Sequence, residues 1–145
     1  MLSKIEIKPL QGVNDVEFGI SVSELVAQLG EPDQIEDLTE DGDNQNIEML
    51  NYEKAKISFF CEGIDELILN SCDTENVNAT IFGEMIFKMK EKEIVDLFAK
   101  HDFDDLETEN EEWGETRISF NDALVDLYFI ENQLISITWG IPFGE

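Results

Sequence analysis

The same succession of sequence patterns occurs twice along this chain of 145 residues, and this repetition constrains the fold more than any single motif does. In each half, a helix-like segment precedes four β-like stretches. Residues 24–26 align with 93–95 at a shift of 69 residues, and 67–69 align with 134–136 at a shift of 67. A nearly constant shift over a whole unit is typical of an internal duplication. The alternative is a coincidence between two generic amphipathic units.

The first helix has the clearest local signals. Ser21 and Glu24 form a capping-box pattern, in which the Ser21 hydroxyl accepts a hydrogen bond from the Glu24 amide. Apolar residues then recur at helical spacing as far as Leu29, and Gly30 is typical of a helix end. The sequence therefore predicts a helix that ends before Gly30.

The β-like stretches show a period of two residues. Ile57, Phe59 and Cys61 alternate with their neighbours, as on an antiparallel sheet with one buried face. The second helix is predicted over residues 91–100. The predicted strands are 34–38, 47–52, 55–62 and 66–71 in the first half, and 103–106, 116–120, 123–130 and 134–139 in the second.

These patterns predict an α+β fold made of two tandem repeats, each a helix followed by four antiparallel strands. The repeats span residues 1–75 and 76–145 and form one compact unit, a largely antiparallel sheet with helices on one face. A chain of this length buries about 68–70% of its unfolded surface. Since 42% of the residues are hydrophobic, the chain has enough of them for such a core.

The charge of the chain excludes several classes of function. Thirty-four acidic residues stand against nine Lys and Arg residues, which gives a formal net charge of -25 at pH 7. Nucleic acid and anionic lipid would be repelled, so we expect no nucleic-acid partner and no membrane partner. We find no secretory signal and no apolar run near the ~20 residues of a membrane span. We therefore expect a cytoplasmic protein whose Cys61 and Cys72 are buried, reduced thiols.

Apart from one segment that resembles a calcium loop, no residue pattern predicts catalysis, a cofactor or a metal site. His101 is the one histidine; it follows the second helix, where it suits the helix C-terminus, and no Ser or Cys nucleophile is placed near it in sequence. Cys61 and Cys72 lack the spacing of a zinc motif, and the nine glycines are scattered singly, which excludes a phosphate-binding loop. We expect a protein that is not an enzyme and needs no cofactor.

One segment leaves a second function open. Residues 37–48, from Asp37 to Glu48, place oxygen-bearing residues and a glycine at positions 1, 3, 5, 6 and 12 of a twelve-residue calcium loop. Against this interpretation, Asn44 occupies a position that is usually apolar, and Pro32 removes the entering helix. A pair of flanking helices is the context that would confirm it. The alternative function is therefore a cytosolic domain that binds calcium or a small ligand.

Acidic residues are concentrated in two runs, each directly after the helix of its half. No Lys or Arg occurs between Lys8 and Lys54, and none occurs between Lys100 and Arg117. Such a density of like charge costs self-repulsion that folding alone would not select. We predict that the runs flank one surface that meets a basic protein. The alternative is that they are solvated loops.

An aromatic residue supports the interface hypothesis. Trp113 stands among carboxylates and is either an exposed interface anchor with a charged rim or a core residue at the start of a strand. Tyr52 is its candidate counterpart in the first half. The predicted partner-binding residues are Glu36, Asp37, Glu40, Asp41, Asp43, Tyr52, Glu107, Glu109, Glu111, Glu112, Trp113 and Glu115.

Several motifs resemble those of small bacterial proteins. Residues 12–25 read G-V-N-D-V-E-F-G-I-S-V-S-E-L and residues 29–33 read L-G-E-P-D, a pattern similar to that of proteins that include immunity proteins of polymorphic and contact-dependent toxin systems. Residues 82–86, followed by 93–94, resemble the second half of the same pattern. The tandem layout is similar to that of the beta-lactamase inhibitor protein, whose two repeats present a concave sheet to an enzyme.

The resemblance covers about a third of the chain and transfers no residue roles, because its motifs are mostly helix caps and turns. It implies a small immunity protein that inhibits a toxin. Combined with the charge, it predicts a protein that neutralises a basic, nuclease-type toxin by covering its active site. The expected partner is therefore a basic toxin domain.

Overall fold

A computed structural model describes residues 4–40, 45–111 and 114–141. These residues include two α-helices, α1 (Val22–Leu29) and α2 (Glu91–Lys100), and a 3₁₀ turn at Ile86–Lys88. The strands in the described residues are β1 (Glu6–Lys8), β2 (Gly12–Val13), β3 (Val16–Glu17), β4 (Gln34–Asp37), β5 (Asn46–Tyr52), β6 (Ile57–Gly63), β7 (Ile68–Thr74), β8 (Thr80–Ile81), β9 (Leu106–Asn110), β10 (Glu115–Phe120), β11 (Val125–Ile130) and β12 (Gln133–Gly140).

Eight of these strands form one antiparallel sheet in the order β4-β5-β6-β7-β12-β11-β10-β9. Strands β7 and β12 pair at its centre, with Asp73 opposite Thr138 and Cys72 opposite Trp139. Strands β4 and β9 form the two edges. Since neighbouring strands lie about 4.8 Å apart, the seven spacings place these edges about 34 Å from each other.

The hydrophobic core lies on one face of this large sheet. Ile57, Phe59 and Cys61 of β6 are all buried, as their alternation predicts. Helix α2 packs on this face, where the ring of Phe98 stacks on Phe120 of β10 with centroids 4.0 Å apart. Each fully buried apolar side chain contributes about 1.5–3 kcal/mol. Burial on this face therefore fixes which face of the sheet is left for solvent.

A second, small sheet in the order β3-β2-β1-β8 packs against the same core. Strand β1 pairs in parallel with β8, with Ile7 opposite Ile81. The indole N–H of Trp139, on β12, donates a hydrogen bond of 2.9 Å to the Gly12 carbonyl and so joins the two sheets. Gly12 is required there because its φ is +149° and an added Cβ would collide with the carbonyl oxygen of Val16.

The predicted α+β class with two helix-plus-strands repeats is wrong. Strands account for 46% of the structure and helices for 16%, so the chain is mostly β. The prediction assigned no second sheet to the segment before α1, yet that segment forms β1–β3 and pairs with β8. This pairing joins residues on both sides of residue 75, so the chain does not divide into two helix-plus-strands units. The boundary between 1–75 and 76–145 stays a prediction.

Individual elements are predicted better than the fold. Both helices lie where the sequence places them, and the Ser21 hydroxyl accepts from the Glu24 amide at 3.2 Å, which confirms the cap. The strand predicted over 103–106 instead begins at Leu106 and continues to Asn110. Its residues LETEN have weak strand propensity, but pairing with β10 holds them extended.

Candidate protein-binding face

The second face of the large sheet carries mainly polar side chains where the first face carries the core, although Ile47, Met49 and Phe60 share it. One complete row of cross-strand partners runs from β4 to β9 and is polar at every position. We call this side of the sheet the open face. Its central row is Gln34, Asn51, Ser58, Asp73, Thr138, Asp126, Ser119 and Glu107.

The open face is strongly acidic. Arg117 is the single base among the described strand residues on this side of the sheet, and it forms an ion pair of 2.6 Å with Glu109 of β9. The acidic residues of the open face are Glu36, Glu62, Asp73, Glu107, Glu109, Glu115 and Asp126. The electrostatic potential over this face is therefore negative, which suits a cationic partner.

Asp73 lies at the centre of the open face and is half-buried. The Thr138 hydroxyl donates a hydrogen bond of 2.9 Å to its carboxylate. Burial raises the pKa of Asp73, the hydrogen bond from Thr138 works in the opposite direction, and the charge of Glu75 raises the pKa further. The carboxylate is thus held in a site where water solvates its charge poorly.

Two grooves meet at Asp73. The first has a volume of about 260 Å³ and is lined, beside Asp73, by Glu115, Tyr128, Ile130, Ile135, Ser136 and Thr138. The second has a volume of about 250 Å³ and is lined, beside Asp73, by Asn51, Glu53, Lys56, Ser58 and Glu75. Both are smaller than the 300–1,000 Å³ typical of small-molecule sites. They therefore suit individual side chains of a protein partner.

The acidic runs predicted to flank one surface lie at opposite edges of the sheet. Glu36 belongs to β4, whereas Glu107 and Glu109 belong to β9, and Glu115 lies on the neighbouring strand β10. All four share the open face, but the width of the sheet separates Glu36 from the others. Glu40 and Glu111 are exposed beyond the ends of these edge strands. The described members of the two runs therefore lie along opposite edges of the open face and do not meet.

The remaining predicted residues lie elsewhere. Asp37 is exposed on β4, opposite Glu48. Two hydrogen bonds from Thr39 lower the pKa of Asp37; the larger effect comes from the Thr39 hydroxyl and the smaller from its amide. Tyr52 is buried, with 7% exposure, and its hydroxyl donates to the Gly30 carbonyl at 2.8 Å, so it belongs to the core. Asp41, Asp43, Glu112 and Trp113 lie outside the described residues.

The segment that resembles a calcium loop is flanked by strands. Asp37 ends β4 and Glu48 lies on β5, where the two residues are direct cross-strand partners. The segment therefore lacks the pair of flanking helices that would confirm a calcium loop. Within the ranges that the structure describes, no group of three or more acidic, His or Cys side chains could hold a metal ion.

The other residues with reactive side chains have structural surroundings. His101 stacks on the ring of Phe82, with centroids 4.0 Å apart, just after α2. Cys61 and Cys72 are buried and not disulfide-bonded; burial raises the pKa of Cys61 to about 12 and that of Cys72 well above its usual value. A thiol with such a pKa is a poor nucleophile at neutral pH.

Sequence reasoning missed the centre of the open face. Asp73 and Thr138 lie in strands, at positions that alternate with the buried residues Cys72 and Trp139. That alternation could have identified an outward-facing row. It could not show which strands are central, because that depends on the order of the strands in the sheet.

Comparison with family models, with curated proteins and with solved structures finds no match to this chain. The resemblance to immunity proteins therefore stays a prediction. No helix in the described part of the chain has both the length and the apolar character needed to cross a membrane.

Proposed function

We propose that this chain is a non-catalytic binding protein whose open face meets a basic protein partner. The more specific form of the proposal is a cytoplasmic immunity protein that inhibits a nuclease-type toxin by covering its active site. The observation that supports it is the charge of the open face: among its described strand residues, seven carboxylates accompany one base, Arg117, which is paired with Glu109, and Lys56 is the one base that lines the second groove.

The distribution of lysines supports the same choice of face. Six of the nine bases belong to the segments that cover the core on the other side of the sheet: Lys4, Lys8, Lys88, Lys90, Lys92 and Lys100. These lysines are mixed with acidic residues, so that layer has a weaker negative field. A cationic protein approaching in solution is therefore oriented toward the open face.

The dimensions of the open face suit a protein interface. The sheet is about 34 Å wide, and a strand of seven residues is about 23 Å long, so the face measures about 800 Å². A standard protein complex buries about 800 Å² on each partner. The face is thus large enough for one specific interface, whereas its grooves are too small for a typical cofactor.

The inhibition mechanism follows from the chemistry of nucleases. A nuclease surface is cationic where it holds phosphates. An acidic face accelerates association with that surface and then occupies the position of the substrate. Because the attraction is long-ranged, the association rate constant is expected to fall steeply as salt is added.

The first experiment identifies the partner by affinity capture from the native host and mass spectrometry, and then measures association kinetics with the purified partner. One triple variant neutralises the open face: Glu62→Gln, Glu107→Gln and Asp126→Asn. A matched control removes the same charge from the covering layer: Asp15→Asn, Glu17→Gln and Glu24→Gln. The open-face variant should lower the association rate constant by about tenfold or more, and the control by about twofold or less.

Three outcomes contradict the proposal. The captured partner could be acidic, the association rate constant could be independent of salt, or both triple variants could have the same effect. The toxin-inhibitor form of the proposal has its own test, because the partner's nuclease activity must fall in proportion to the complex formed.

A further inference from the structure

The first groove beside Asp73 combines three kinds of chemistry along its length. Tyr128 of β11 contributes an aromatic ring, and Ile130 and Ile135 contribute exposed apolar surface, 43% and 39% exposed. Asp73 contributes a half-buried carboxylate, next to the hydroxyl groups of Ser136 and Thr138. The groove is therefore more than a cluster of like charges.

No base of the described chain neutralises Asp73. Arg117 is the cross-strand partner of Tyr128, but its guanidinium forms an ion pair with Glu109 of the neighbouring strand β9. Lys56 lines the second groove, together with Glu53 and Glu75, and forms no ion pair with Asp73. Asp73 is thus a candidate for an ion pair with a cationic group of a partner.

The groove has the size of one long side chain. Its volume of about 260 Å³ lies below the 300–1,000 Å³ typical of small-molecule sites. Arginine matches its chemistry, because the guanidinium is planar, stacks on aromatic rings and binds carboxylates through two hydrogen bonds. The aliphatic part of the same side chain can pack on apolar residues such as Ile130 and Ile135.

We propose that this groove binds an arginine side chain of the basic partner, with the guanidinium against the Tyr128 ring and in an ion pair with Asp73. This inference rests on the proposed function, since it places the anchor of the interface at the centre of the open face. Desolvated anchors near the centre of an interface carry most of the binding energy, and arginine is enriched among them. The acidic edges then contribute mainly to the rate of association.

The direct test uses the peptide acetyl-Gly-Arg-Gly-amide and the isotope-labelled protein, followed by two-dimensional NMR. The peptide should shift the signals of Asp73, Tyr128 and Ser136 in a saturable way with a millimolar dissociation constant. Replacement of the arginine by citrulline, which has the same shape without the charge, should abolish the shifts. Equal shifts with citrulline, or shifts confined to other residues, overturn the proposal.

Variants separate the groove from general attraction. Asp73→Asn keeps the shape and an acceptor for Thr138 and should weaken peptide binding by about tenfold or more, whereas Glu62→Gln, the same charge change elsewhere on the open face, should weaken it by about twofold or less. Tyr128→Leu should also weaken it, and circular dichroism confirms that each variant is folded. Equal effects of Asp73→Asn and Glu62→Gln overturn the proposal.

The identified partner distinguishes the two proposals. If the partner binds the open face but Asp73→Asn leaves its dissociation rate unchanged, the arginine groove is wrong and the proposed function stands. If the arginine peptide occupies the groove but the captured partner is not basic, the proposed function is wrong.

Discussion

The contact between the two sheets gives the sharpest test of the fold. Trp139 is 1% exposed on β12, and its indole N–H donates to the Gly12 carbonyl of the small sheet at 2.9 Å. The substitution Trp139→Phe removes this donor and leaves a cavity. Loss of the partner of a buried polar group costs about 1–3 kcal/mol. The smaller ring adds about 1 kcal/mol for the cavity.

The expected cost is therefore about 2–4 kcal/mol of a total stability of about 5–15 kcal/mol. Urea denaturation followed by circular dichroism measures it directly, and the melting temperature should fall by about 4–16 °C. A matched control is Phe129→Leu, which also shrinks a ring buried to 1% exposure, in β11, and should cost about 1 kcal/mol.

Hydrogen exchange locates the effect. Trp139→Phe should reduce protection of the amides of β1 and β2 more than that of β6, because the indole is bonded to the small sheet. Two results would contradict this role of the indole: a destabilisation by Trp139→Phe no larger than that by Phe129→Leu, or a loss of protection that is uniform over both sheets.

Three further predictions concern charge and pH. The double substitution Glu107→Thr and Glu109→Thr removes the charge from edge strand β9 and should cause the protein to self-associate, as measured by analytical ultracentrifugation. The control Glu24→Thr on α1 should leave the protein monomeric. A monomeric double variant contradicts this prediction. Burial raises the pKa of Tyr52 and of Cys61 to about 12. The stability that their neutral forms provide is therefore present below pH ~9 and is lost as the pH rises toward 12. In thermal melts this loss should be smaller for Tyr52→Phe than for the unsubstituted protein, and an equal loss contradicts the assignment. Added NaCl should raise the melting temperature, because it screens the net charge of -25. At equal ionic strength, calcium should raise the melting temperature more than magnesium does only if the calcium alternative is correct.

Features decided by neighbouring residues could be predicted from the sequence. The cap at Ser21 depends on a residue three positions away, and the sequence places the first helix correctly. The buried alternation of Ile57, Phe59 and Cys61 depends on the period of a strand, and it is also confirmed. In both cases the physical cause acts within a few residues, so a local pattern contains it.

The prediction of the fold class is wrong because the fold depends on contacts between residues that are far apart in the sequence. Strands β2 and β3 have two residues each, too few to show a period. The partner of β1 is β8, at Thr80–Ile81, and nothing in either segment specifies the other. Asp73 illustrates the same limit for the site, since its hydrogen-bond partner Thr138 lies 65 residues away.

The position of the acidic runs changes which residues support a binding function. A free edge strand exposes unpaired backbone groups, and like charges on it oppose pairing with another chain. Glu36 on β4 and Glu107 on β9 occupy the two edges of the large sheet, so protection against association accounts for their charge without any partner. The same account does not apply to Asp73, which lies on a central strand whose backbone is paired on both sides. A carboxylate held half-buried there, with a hydroxyl as its partner and no ion pair to a base among the described residues, costs stability and protects no edge. The centre of the open face therefore supports the proposed cationic partner more strongly than the acidic runs do.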